Sequence, residues 1–170
     1  QEAAIDALGF SGRLEDDPAK PVLGTYTNDY TWSKMDWYLD MRTSVGEGTK
    51  NPDGSTSYPV TTTVTNAMTE AEAASAPYYV YGGNPDKRSQ GDMLTHLYLM
   101  APAGGSISNV QGTGGVFSAA QHTVYGFDEW TCALQENPGE TTTVTYTVTT
   151  SPQATEPLAV DRTPAARTFS

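Results

Sequence analysis

Residues 35–45, Met-Asp-Trp-Tyr-Leu-Asp-Met-Arg-Thr-Ser-Val, alternate between apolar and polar positions. In an extended chain Met35, Trp37, Leu39 and Met41 share one face, and Asp36, Tyr38, Asp40 and Arg42 share the other. That period predicts a half-buried strand with Trp37 turned into a core, so that Trp37→Ala should be strongly destabilising. Asn51-Pro52-Asp53-Gly54 follows with turn chemistry, because Pro presets φ and Asp-Gly tolerates the left-handed conformation. From Ser57 to Thr65 the chain returns as a second strand, with Tyr58, Val60, Thr62 and Val64 on one face. Thr suits such a surface, since its branched β-carbon fits a pleated, half-exposed sheet.

Thr69-x-x-Glu72 ahead of Ala71, Ala73, Ala74 and Ala76 forms a capping box for a short helix over 69–76, which Pro77 ends. Tyr78-Tyr79-Val80-Tyr81 leads into a polar loop from Gly82 to Gly91. Met93–Met100 is apolar almost throughout and predicts a strand covered on both faces. Further strands are expected at Ile107–Gln111, Val116-Phe117, Thr123–Phe127 and Glu129–Leu134, with turns at 102–105 and 112–115. After the turn Asn137-Pro138-Gly139, Val144, Tyr146 and Val148 alternate with threonines over 141–150, and an edge strand is expected near Leu158–Val160. Residues 2–8 read as weakly helical. The pattern gives a mainly β fold: an antiparallel β-sandwich, immunoglobulin-like in general architecture, with one or two short helices. Its domain spans 21–164, after a helical and polar lead-in at 1–20 and before a tail at 165–170.

Composition narrows the classes of function. The 170 residues carry 20 Asp and Glu against 9 Lys and Arg, a net charge of −11. A surplus of that sign opposes contact with nucleic-acid phosphates or an anionic membrane surface. No apolar run is long enough to span a bilayer, and no positively charged, apolar leader opens the chain. Starting at Gln1, the sequence reads as a piece of a longer protein. A single cysteine, Cys132, excludes an internal disulfide and a multi-thiolate zinc site, and it reads as a small buried side chain.

Catalytic signatures are absent from the sequence. His96 sits within the apolar run 93–100 and reads as a packed strand residue, while His122 reads as solvent-facing. Neither Gly-x-Ser-x-Gly nor Ser-x-x-Lys nor His-Glu-x-x-His occurs. Asp36 and Asp40 on one strand face would lie about 13 Å apart, too far to share an ion. The carboxylates therefore read as a solvated coat over turns and outward strand faces. No catalytic residue, metal ligand or cofactor is assigned. Tyr78, Tyr79 and Tyr81, beside the Gly-rich loop, are the candidate contact residues, together with Lys34 and Asp36.

Four ordered blocks carry a resemblance. They are Leu23-Gly24-Thr25-Tyr26-Thr27-Asn28-Asp29 with Ser33-Lys34-Met35-Asp36-Trp37-Tyr38-Leu39, then Val64-Thr65-Asn66 with Pro77-Tyr78-Tyr79-Val80-Tyr81-Gly82, then Leu97–Gly105, then Pro138-Gly139-Glu140 with Thr163-Pro164. Together they resemble the C-terminal region of a family of uncharacterised cell-envelope proteins of high-GC Gram-positive bacteria, over about Gly12 to Pro164. The resemblance implies a membrane helix outside this segment and a domain held on the outer side of the envelope. It supplies no activity and no functional residues. The expectation is a non-enzymatic extracellular module that binds, spaces or assembles, with a cell-wall glycan or another envelope protein as partner. The alternative is a hydrolase of envelope polysaccharide, which would need paired carboxylates in a cleft.

Overall fold

The computed structural model describes residues 14–82 and 89–166. The expected helix over 2–8, most of the tail and residues 83–88 of the polar loop lie outside the described residues. Within them, β-branched and aromatic residues recurring at a period of two give ten strands. In chain order these are β1 (Val22–Asp29), β2 (Leu39–Val45), β3 (Thr49–Lys50), β4 (Thr56–Asn66), β5 (Met93–Met100), β6 (Ser106–Thr113), β7 (Val116–Val124), β8 (Phe127–Glu136), β9 (Thr141–Thr149) and β10 (Ala159–Arg162). One sheet has the order β10-β1-β5-β8-β7 and the other β2-β4-β9-β6, with β3 extending the β4 hairpin. All pairings are antiparallel except that of β10 with β1. The result is a β-sandwich with two short helices, α1 (Glu70–Ser75) and α2 (Tyr78–Tyr81).

Alternation does what the sequence pattern implies in most strands. Val60, Val64, Val144, Tyr146 and Val148 from one sheet meet Leu23, Leu97, Leu99, Cys132 and Leu134 from the other. A hydroxyl chain crosses this core: Thr62 Oγ1 lies 3.0 Å from both Tyr146 Oη and Thr43 Oγ1, so the buried polar atoms satisfy one another. In β5 the inward residues Met93, Thr95, Leu97 and Leu99 are buried, while Leu94, His96 and Tyr98 on the other face are half-covered. At the turn 51–55, Asp53 Oδ1 accepts from Ser55 N at 2.9 Å and Asn51 N donates to Ser55 O at 2.9 Å. The capping box is present as read, with Glu72 N donating to Thr69 Oγ1 and Thr69 N donating to Glu72 Oε2.

Four expectations are corrected. Met35–Tyr38 is a 3₁₀ turn and not the start of a strand. Ser33 Oγ accepts from Met35 N and the Trp37 amide donates back to Lys34 O, so the chain coils before extending at Leu39. Met35, Leu39 and Met41 stay buried, but Trp37 is 52% exposed. Asp36 consequently shares no strand face with Asp40, whose carboxylate pairs with Arg42 at 2.9 Å. The expected strand Thr123–Phe127 is broken by a two-residue turn, Tyr125 at φ 50° and Gly126 at φ 86°. Both positive values match the twist of a hairpin loop, and they make β7 and β8 one long hairpin. Finally, the carboxylates are not all a surface coat: Glu136 is fully buried and Glu129 and Asp92 nearly so.

Candidate binding surface

β1 ends at Asp29, and the segment after it is folded back by that side chain. Asp29 Oδ1 accepts from Thr31 N at 2.6 Å and from Thr31 Oγ1 at 2.8 Å, and Oδ2 accepts from Ser33 Oγ. These are the local bonds an Asp makes when it organises a turn. They shape residues 29–35 into an arch with Trp32 at its tip, 97% exposed. Tyr30, at the foot of the arch, packs against His96 with ring centroids 4.5 Å apart and the rings tilted by 41°. A hollow of about 130 Å³ opens there between Tyr30, Leu94, His96, Ser118 and Ala133.

α1 and α2 supply the neighbouring wall. Gln90 Nε2 donates to Ala73 O at 2.7 Å and to Ala76 O at 3.2 Å, tying the end of α1. Pro77 then opens α2, a single turn closed by Gly82 N on Tyr78 O at 2.7 Å. Such a turn points successive side chains in different directions. Tyr79 is 72% and Tyr78 59% exposed, whereas Val80 and Tyr81 pack against the core. The arch docks on this turn through Lys34 N, which donates to Val80 O at 2.7 Å. Lys34 Nζ lies 5.8 Å from the centre of the Tyr79 ring, within cation–π reach.

The residues named from sequence divide accordingly. Tyr78, Tyr79 and Lys34 come together at the surface. Tyr81 turns inward and meets Tyr78 edge-on at 5.7 Å, supporting it from below. Asp36 lines a cleft of about 190 Å³ with Asp29, Leu39 and Thr163. Burial raises its carboxyl above the ordinary range, the Asp29 charge adds to this, and Lys34 opposes it. Sequence reading missed Trp32, Trp37 and Tyr30. The available signal was two aromatic rings set among Asn28, Asp29, Thr31 and Ser33, residues that favour turns over strands.

Gly82 joins the two segments. Its φ is +46° with ψ −173°, and a Cβ there would stand 2.5 Å from the Trp32 carbonyl oxygen. Only glycine fits that conformation and that approach. Gly82→Ala is expected to cost about 1–3 kcal/mol in urea unfolding. A loss near zero would mean that the arch and α2 are not held together as described.

Cys132 is buried, and burial pushes its thiol up to about 12, which keeps it protonated and unreactive. His122 is exposed on β7. Among the described residues, no three His, Cys, Asp or Glu side chains converge as a metal-ligand set, and no helix is long and apolar enough to cross a membrane. Compared with known proteins, the chain matches no family model, no curated protein and no solved structure. The structure thus defines the class, a β-sandwich with an aromatic surface at one end of β1.

Proposed function

We propose that this domain is a non-enzymatic, extracellular binding module of a bacterial cell-envelope protein, and that it holds a cell-wall glycan on the surface formed by Trp32, Trp37, Tyr78 and Tyr79. The observation that carries the proposal is the exposure of Trp32 and Tyr79 on a bonded scaffold. Large apolar rings left in water at neighbouring positions mark interaction surfaces more often than they serve folding. Aromatic side chains lose little conformational entropy on binding, and their flat faces suit the C–H faces of sugar rings. The charge of −11 directs the choice toward uncharged sugars over anionic polymers. The envelope setting rests on the resemblance of the ordered sequence blocks.

The hydrolase alternative would need two available carboxylates in one cleft. Asp29 and Asp36 are a pair that shares one. Both oxygens of Asp29, however, are engaged by Thr31 and Ser33. It shapes the arch, which supports the binding reading. Titrating soluble cell-wall glycan fragments while following tryptophan emission tests the proposal. Binding is expected in the wild type and at least about tenfold weaker in Trp32→Ala, the loss typical of a central aromatic contact, with the unfolding midpoint unchanged. Equal affinity in the variant, or cleavage of the fragments, would overturn it.

A further inference from the structure

A sheet edge offers unpaired N–H and C=O groups to any extended chain, and soluble proteins obstruct such edges with charge, proline, bulges or short length. Among the described residues, three of the four strands at the ends of the two sheets are obstructed in this way. β10 has only four residues, includes Asp161 and Arg162, and is followed by Pro164. β2 carries the Asp40–Arg42 pair. β6 is broken between Ser108 and Gln111, where Asn109 has a φ of 56°.

β7 is the exception. It runs for nine residues in unbroken register with β8, from Val116 opposite Gln135 to Val124 opposite Phe127. It contains no Asp, Glu, Lys, Arg, Pro or Gly, and every residue from Ser118 to Thr123 is exposed. Alternating exposure would leave one face covered, so exposure at successive positions means that the opposite sheet, which reaches the strand at Phe117 beside Gly112, does not cover it from Ser118 to Thr123. Among the described residues β7 is thus uncharged, unpaired along its outer edge and open on both faces from Ser118 to Thr123, so it can accept another strand.

We propose that β7 pairs antiparallel with β7 of a second copy of this chain, about a two-fold axis at Ala120, joining two five-stranded sheets into one. The sequence is complementary to itself about that axis. Phe117 stands opposite Thr123, Ser118 opposite His122, Ala119 opposite Gln121, and Ala120 opposite its own counterpart. Phe–Thr is an aromatic and β-branched cross-strand pair, and no like charges oppose one another. Asp128 and Glu129 on the adjoining strand are both occupied: Asp128 accepts from Ile107 N at 2.8 Å and from Gln121 Nε2 at 2.7 Å, and Glu129, opposite His122, accepts from Thr131 Oγ1 at 2.8 Å. A partner of different sequence would be chosen by side-chain pockets, and the small side chains from Ala119 to Gln121 around the axis provide none; the hollow beside Ser118 is walled mainly by residues of β5 and β8. A single edge buries less than the roughly 800 Å² per partner of a stable complex. Association is therefore weak, and it strengthens with salt as the repulsion between two chains of charge −11 is screened.

Sedimentation of the 170-residue chain from low-micromolar to near-millimolar concentration tests this, in low and physiological salt. A reversible dimer is expected that is favoured by salt and at least about tenfold weaker in Ala120→Lys, where two like charges meet at the axis. Because Ala120 is exposed, the thermal midpoint of that variant should match the wild type. Independently, Ala120→Cys should cross-link with a short bis-maleimide far faster than Ser106→Cys on the obstructed β6 edge, the native Cys132 being buried. A chain that stays monomeric throughout, a dimer indifferent to Ala120→Lys, or equal cross-linking at the two cysteines would each overturn the proposal.

Discussion

Glu136→Gln should stabilise the domain by about 3 kcal/mol above pH 7 and change it little below pH 4.5. Glu136 ends β8 with its side chain inside the sandwich, 0% exposed. Neither carboxylate oxygen completes a hydrogen bond among the described residues, and neither does the hydroxyl of nearby Thr142. Its backbone is held firmly, with Asn66 Nδ2 donating to Glu136 O at 3.1 Å and the residue paired with Met93 of β5, so the side chain has little means of reaching water. Burial raises its pKa from 4.5 to about 7; the Thr142 hydroxyl opposes the rise, and the Glu140 charge adds to it by less. Between those values the native protein keeps a proton that the unfolded chain has lost. Native binding of the extra proton makes stability fall as pH rises from about 4.5 to about 7, and then level off. Other carboxylates pull the opposite way: Asp53 and Glu140 are lowered by hydrogen bonds from Ser55 and from Asn137 and Gly115. The difference between wild type and Glu136→Gln, measured by urea unfolding across pH 4–9, isolates the buried acid. Parallel curves would mean that Glu136 finds a partner or water in solution.

Leu97→Ala is expected to cost about 2–5 kcal/mol, and Trp37→Ala less than about 1 kcal/mol. Leu97 is 0% exposed on β5, the central strand of its sheet, opposite Cys132 on β8 and Thr27 on β1. Removing its side chain leaves a cavity that three strands cannot close together. Trp37 stands half out of the structure on a 3₁₀ turn, so its loss vacates no core space. Alternation alone would give the reverse ranking of these two residues. Urea unfolding of both variants decides between strand and turn at 35–38: a large loss in Trp37→Ala would restore the strand.

Most of the sandwich is legible in the sequence because a strand with one buried face imposes a period of two, which β4, β5 and β9 follow. The capping box at Thr69 and Glu72 and the turn at 51–55 are legible because their bonds are local. β1 is not recognisable as a strand: Gly24, Thr25, Thr27 and Asn28 give weak alternation, and it is held by neighbours from distant parts of the chain, β5 and β10. The 3₁₀ turn at 35–38 escapes for a related reason. A turn of four residues that starts from buried Met35 leads to buried Leu39, so the buried positions fit a strand as well as they fit the turn. Tyr125-Gly126 lacks the Asn or Asp that usually marks such a loop, and its conformation is set by the pairing of β7 with β8. At the surface, Tyr78, Tyr79 and Lys34 are within reach of sequence reading, but the approach of the Trp32 backbone to their turn depends on Asp29 folding the arch and on Gly82 allowing it. The burial of Glu136 could not be read from its flanking residues, since it follows from where β8 ends against β4 and β9.

The chain has three tryptophans, and they make the most direct test of the proposed binding surface. Trp32 and Trp37 are exposed on the arch and turn, whereas the Trp130 indole donates from Nε1 to Ile107 O at 3.2 Å and is packed against the core. Each gives its own indole N–H resonance. During titration with soluble cell-wall glycan fragments, the Trp32 and Trp37 signals should move in a saturable way while that of Trp130 stays fixed. Movement of Trp130 alone, or no movement of Trp32 at saturating glycan, would contradict the assignment of this surface as the binding site.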